Sequence, residues 1–144
     1  MVRLPFYTVL STLCHENLVT QVVSWYLMNW RATGAILMAL GVGFGAFGAH
    51  SLRSMLDDYS MDVYERAVFY HFIHALGILL PKQRESLVNG LLIVGIVFFA
   101  GSLYVLALTG QRWLGAVTPI GGVAFIAGWL VMAWGALNHK GDAA

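Results

Sequence analysis

Charge is what this chain has least of. Lysine, arginine, aspartate and glutamate make up 10% of its 144 residues, against 59% apolar, whereas an ordinary soluble domain carries roughly 25% charged residues. A soluble fold of this length has no means of hiding so much apolar surface from water, so the composition points to a membrane protein. The few charges are also segregated: none falls between Glu85 and Arg112, and none between Arg112 and Lys140. Each gap is long enough to cross a hydrocarbon core, which takes about 20 helical residues.

Other scarcities exclude whole classes. The net charge is +1, so no basic field is available to hold nucleic acid. Cys14 is the single cysteine, which rules out an internal disulfide and a cysteine-based metal site. Apolar residues do not alternate with a period of two, and since lipid tolerates only helices or closed barrels, helices are left. No serine, histidine and acid set stands at recognisable spacing, and Ser102 in GSLY is not a nucleophile elbow. The acidic stretch Asp57-Asp58-Tyr59-Ser60-Met61-Asp62 lacks the glycine and the terminal glutamate of a calcium loop, and reads as solvated loop charge.

What is present is four apolar spans, at about residues 31–50, 61–80, 86–109 and 113–138, within a single membrane domain over 28–144. Their short connections make neighbours antiparallel, which predicts an all-α, up-down four-helix bundle in the membrane. Ser60 is the expected N-cap of the second span and Pro81 its stop. Thr118-Pro119 either caps a new helix or kinks one that begins near Trp113; the kink is the expectation. Trp30, Tyr59, Tyr64 and Trp113 fall near span ends, where aromatic belts sit.

Residues 1–27 stand apart as an N-terminal extension. Arg3 followed by LPFYTVLSTLC has the look of a signal segment, but Leu13 is wrong for a small-residue cleavage site and Leu18 to Leu27 is too short to cross. The plainer expectation is that translation starts at Met28. Arg3, Arg31, Lys82, Arg84 and Lys140 lie on one side of the bundle and Arg53, Arg66 and Arg112 on the other, which favours cytoplasmic termini.

The first span carries small residues at intervals of four, Gly41, Gly45 and Ala49, with Gly48 beside them. Such a ridge admits another helix closely in lipid. Glycines of the third and fourth spans, including Gly101 and Gly121, read as packing points or as the lining of a narrow pore. The second span alone holds titratable groups at depth. At 100° per residue Ala67, His71, His74 and Ile78 share one face, and Phe69, Ile73, Leu76 and Leu80 the opposite one. The histidines should face the bundle and find partners among Ser102, Tyr104, Thr118 and backbone carbonyls loosened near Pro119.

Three chemistries are open to these residues. A metal or haem site would use His50, His71 and His74, yet His50 ends the first span at the surface while the other two lie deeper, so structural histidines and no bound cofactor are the expectation. A channel or carrier would run a polar path through His74, Glu65 and Arg112. A proton or ligand site would pair Glu65 with Arg53 or Arg112; otherwise Glu65-Arg66 marks where the span leaves water. The set most worth locating is His50, Glu65, Arg66, His74 and Arg112.

Four segments carry a resemblance: GAFGAHSL from Gly45, ERAVFYHFIHALGILL from Glu65, AGSLYVLALTGQRWLGAVTPIGG from Ala100, and FIAGWLVMAWGAL from Phe125. Over about residues 28–138 the chain resembles the YgdD/YwdK family of small bacterial inner-membrane proteins, a family of unknown function with a distant eukaryotic transmembrane relative. The resemblance implies a four-span membrane protein that touches the family pattern at Gly45, Gly48, His50, Glu65, Arg66, His74, Gly101, Ser102, Tyr104, Arg112, Thr118, Pro119 and Gly121. His71 stands where the family more often has glutamine. It implies no reaction. A non-catalytic accessory or assembly protein is therefore expected, associating with lipid and with its own copies or another membrane protein.

Overall fold

A computed structural model describes residues 29–80 and 86–138. The expectations for residues 1–27, for Pro81, for the Lys82 to Glu85 connection and for Lys140 lie outside these residues. Among the described residues the chain is all helix, with no strand. Helix α1 is Trp30–Phe47, opened by Asn29, whose side chain accepts from the Ala32 N–H at 3.2 Å. A π turn, Gly48–Leu52, extends it. Helix α2 is Asp58–Leu79. Helices α3 (Ser86–Gly95) and α4 (Gly101–Thr109) join through a second π turn, Ile96–Ala100, into one rod. After a 3-10 turn, Arg112–Ala116, helix α5 runs Thr118–Asn138.

Two local expectations change. Asp57, not Ser60, caps α2: its carboxylate accepts from the Ser60 N–H at 2.7 Å, and an ionised acid is the better acceptor for an unpaired helical N–H. The fourth span does start near Trp113, but as a 3-10 turn, and α5 begins anew at Thr118 with Pro119 in its first turn. Proline is harmless there, because that N–H has no intrahelical acceptor in any case. Helix α4 is closed by Gly110, which takes φ 69° and donates to the Leu106 carbonyl at 2.8 Å. The left-handed cap suits glycine because no Cβ is there to clash.

The helices pack in sequence order and antiparallel. Gly34 lies against Leu79, Gly41 against Phe72, Gly45 against Val68 and Gly48 against Tyr64, so α1 descends as α2 rises. One core joins Ala75 and Ile78 of α2 to Val88 and Leu92 of α3 and to Phe125 of α5; the other joins Val63 and Tyr64 to Leu106 and Ala107 of α4. Along the last pair of rods Gly128 meets Leu92, Gly95 meets the Phe125 ring and Gly121 meets the Phe99 backbone. The second π turn sits at this last contact, and the Phe99 carbonyl within it accepts from Ser102 Oγ at 3.0 Å.

Three rods, Trp30–Leu52, Ser86–Thr109 and Arg112–Asn138, are long and apolar enough to cross a membrane. Helix α2, 22 residues, differs by carrying Asp58, Asp62, Glu65 and Arg66 in its first half. This is an all-α, four-helix membrane architecture.

Candidate functional site

The polar residues fall into an interior set and an edge set. The interior set lies on the predicted face of α2: Ala67, His71, His74 and Ile78 are buried, while Phe69, Ile73, Leu76 and Leu80 point outward. His71 Nδ1 lies 3.4 Å from the Tyr104 hydroxyl, the partner expected from sequence. Its ring approaches the Leu37 carbonyl of α1, yet Nε2 makes no hydrogen bond. His74 instead turns Nδ1 to the carbonyl of Tyr70 one turn back, at 2.7 Å, and stacks on Phe125 with ring centroids 3.3 Å apart. With Nδ1 as the donor, the neutral ring keeps its proton there. Ser102 and Thr118 pair with each other at 2.9 Å rather than with a histidine; with the Ser102 proton on the Phe99 carbonyl, the Thr118 hydroxyl is the donor of this pair, and the Leu114 carbonyl at 3.3 Å is its alternative acceptor.

Tyrosines supply the part of this interior that was not foreseen. Tyr64, expected in an aromatic belt, is buried, and its hydroxyl donates to the Phe44 carbonyl at 2.9 Å. Tyr64 and Phe44 both stand against the Tyr104 ring, with centroids 5.1 and 5.0 Å away, and Phe44 meets His71 edge-on at 6.0 Å. The available signal was spacing: Tyr64, Ala67, His71 and His74 follow the 3-4-3 rhythm of one helical face, which groups Tyr64 with the buried residues. Tyr59 and Trp113 are exposed, as belt residues are.

The edge set is spread out. His50, Glu65, Arg66 and Arg112 are all exposed. Arg53 Nη1 stands 3.7 Å from Glu65 Oε1, with the side chains 73% and 56% exposed; pairs this open contribute little stability. Among the described residues no other ion pair joins this set. His74 belongs to the interior, nine residues or about 13 Å along α2 from Glu65. Asp57 beside them is held below the ordinary carboxylate range by the Ser60 N–H it accepts and by the Ser60 side chain.

The packing residues divide likewise. Gly41, Gly48 and Gly121 are buried, each where a methyl would press on a neighbour. Gly45 and Gly101 are half-buried, Gly45 in van der Waals reach of Val68 and Gly101 facing only the Ile96 carbonyl. Pro119 and Ala49 are exposed, and Ala49 lines an open groove of about 290 Å³ between α1 and α2.

A membrane-embedded helical bundle with polar side chains in its interior and an exposed charged edge is the class these features define. The comparisons with known proteins name the family. A family model described as a protein of unknown function (DUF423) matches residues 44–122. A UPF0382 membrane protein of Staphylococcus haemolyticus is 48% identical over 106 residues, covering 69% of this chain and 87% of its own. One from Staphylococcus epidermidis is 47% identical over 115 residues, covering 75% and 94%. The UPF0382 membrane protein YwdK of Bacillus subtilis is 41% identical over 115 residues, covering 74% and 94%. The chain belongs to this YwdK-like family of uncharacterised membrane proteins. No solved structure matches it.

Proposed function

We propose that this chain is a non-catalytic accessory or assembly protein of the bacterial inner (plasma) membrane, crossing it four times with both termini in the cytoplasm. The observation that carries the reading is how the chemistry-bearing side chains of the interior are used. His74 is engaged by Tyr70, Ser102 by Thr118, Tyr64 by Phe44 and His71 by Tyr104. Of these contacts, Ser102 to Thr118, Tyr64 to Phe44 and His71 to Tyr104 join different helices, and groups engaged in this way are poorly placed to bind or move a substrate. Helix α1 adds to this, because it packs mainly on α2, with Phe44 reaching Tyr104 of α4, and leaves much of its surface exposed, as a helix available to partners would.

Four crossings follow if α2 inserts as well. Its 22 residues span about 33 Å, and its charges are confined to the end near Arg53 and Arg112. The greater number of lysines and arginines on the opposite side, at Arg31, Lys82 and Arg84 among others, supports cytoplasmic termini. The test is purification of the full chain in mild detergent with native mass spectrometry, together with ion and solute flux in reconstituted liposomes. The reading expects the chain in fixed stoichiometry with its own copies or one membrane protein, and flux at background. A flux abolished by His74→Ala would replace it with a channel or carrier, and a solitary monomer would remove the assembly role.

A further inference from the structure

The groove between α1 and α2 is a product of what α1 lacks. Gly45, Gly48 and Ala49 put no bulk on its floor, while Phe69 and Phe72 of α2 raise its wall. It contains about 290 Å³ and opens sideways, between helices whose outward residues are apolar. From Met61 to Phe72 it follows eleven residues of α2, about 16 Å, with Glu65 one turn in from its outer end. Its mouth is not apolar: Glu65 lines it, and Arg53 stands 3.7 Å from that carboxylate. The groove is thus a mainly apolar slot with an exposed pair of opposite charges near its outer end.

We propose that it holds one acyl chain of a zwitterionic aminophospholipid, phosphatidylethanolamine, with the ammonium at Glu65 and the phosphate at Arg53. Charge complementarity selects this occupant. An anionic headgroup would bring a further negative charge to Glu65, with Asp62 less than one turn away on α2. A headgroup carrying one phosphate and one ammonium matches both members of the pair. A primary ammonium offers three donors to the carboxylate, whereas the quaternary ammonium of phosphatidylcholine offers none. A second helix in the slot would bring apolar bulk against the charged mouth.

The test is native mass spectrometry of the full chain released from nanodiscs containing equal phosphatidylethanolamine, phosphatidylglycerol and phosphatidylcholine. One phosphatidylethanolamine per chain is expected, retained in preference to the other two. Ala49→Leu, which fills the groove from an exposed position, should lose the lipid while keeping helicity and thermal midpoint. Glu65→Gln should keep a bound lipid but lower the preference for phosphatidylethanolamine over phosphatidylglycerol by up to about fivefold, the scale of an exposed ion pair. Equal retention of the three lipids, no retained lipid, or a preference untouched by Glu65→Gln would overturn the proposal. So would a dimer that Ala49→Leu disperses, which would assign the slot to a second copy. Should Ala49→Leu fail to fold, the exposed Glu65→Gln decides alone.

Discussion

The Phe125 ring of α5 lies so close to Gly95 of α3 that a methyl group at position 95 would overlap it. The same ring stacks on His74 of α2 at 3.3 Å, so Phe125 is held between two helices and has no room to retreat. Overpacking of this kind costs about 1–3 kcal/mol. Gly95→Ala should therefore lower thermal stability in detergent measurably. Gly90, in the same helix, would meet nothing, so Gly90→Ala should stabilise by about 0.5–1 kcal/mol through lost backbone freedom in the unfolded chain. Equal midpoints for the two variants would refute the packing register.

Tyr104 and His71 form the polar contact between α4 and α2. At 3.4 Å the bond is long, and interhelical hydrogen bonds in membranes average about 0.6 kcal/mol. A double-mutant cycle of Tyr104→Phe and His71→Phe should return a coupling of about that size. His71→Gln, which keeps an acceptor and a donor, should be tolerated better than His71→Phe. A coupling indistinguishable from zero would mean that packing of the rings, not the hydrogen bond, joins the helices.

Ser102 donates to the Phe99 carbonyl of the π turn and meets the Thr118 hydroxyl at the start of α5. Ser102→Ala should cost about 1 kcal/mol. Hydrogen exchange should quicken around Phe99 first, because that carbonyl loses its partner. Uniform quickening along the rod would argue against a local role.

Stability should fall in acid through Asp57. Its folded carboxyl titrates below the ordinary value because the ionised form caps α2. The cap therefore contributes fully above the unfolded value of about 4 and is lost as pH falls through the depressed folded value. Asp57→Asn should keep a cap and flatten this acid limb of the melting-point profile, whereas Asp57→Ala should lower the midpoint at every pH. An acid limb that survives in Asp57→Asn would assign it elsewhere.

Much of this bundle was legible in the chain because lipid leaves few options. Uncharged runs bounded by Glu85, Arg112 and Lys140 had to be helices, and the 3.6-residue rhythm put His71 and His74 on the inner face of α2. Their partners were less legible. Ser102 and Thr118 looked like ligands for a histidine, but their positions on adjoining rods bring them to each other, and a local carbonyl reached His74 first. The glycine ridge shows the same limit. Steps of four join Gly41, Gly45 and Ala49, yet the buried glycines of this rod are Gly34, Gly41 and Gly48. Seven residues turn a helix by nearly two whole turns and stay on one face, whereas each step of four drifts about 40°, which carries Ala49 out to the groove.

By itself the sequence determined the solvent, the helical class and the family, since these rest on composition, on the length of uncharged runs and on motifs read along the chain. Only the tertiary structure decided which glycines are pressed against a neighbour, that Tyr64 is interior, and that Glu65 takes Arg53 instead of Arg112. Those outcomes depend on the rotation and register of one helix against another, which side-chain fit across the interface sets and no single helix encodes.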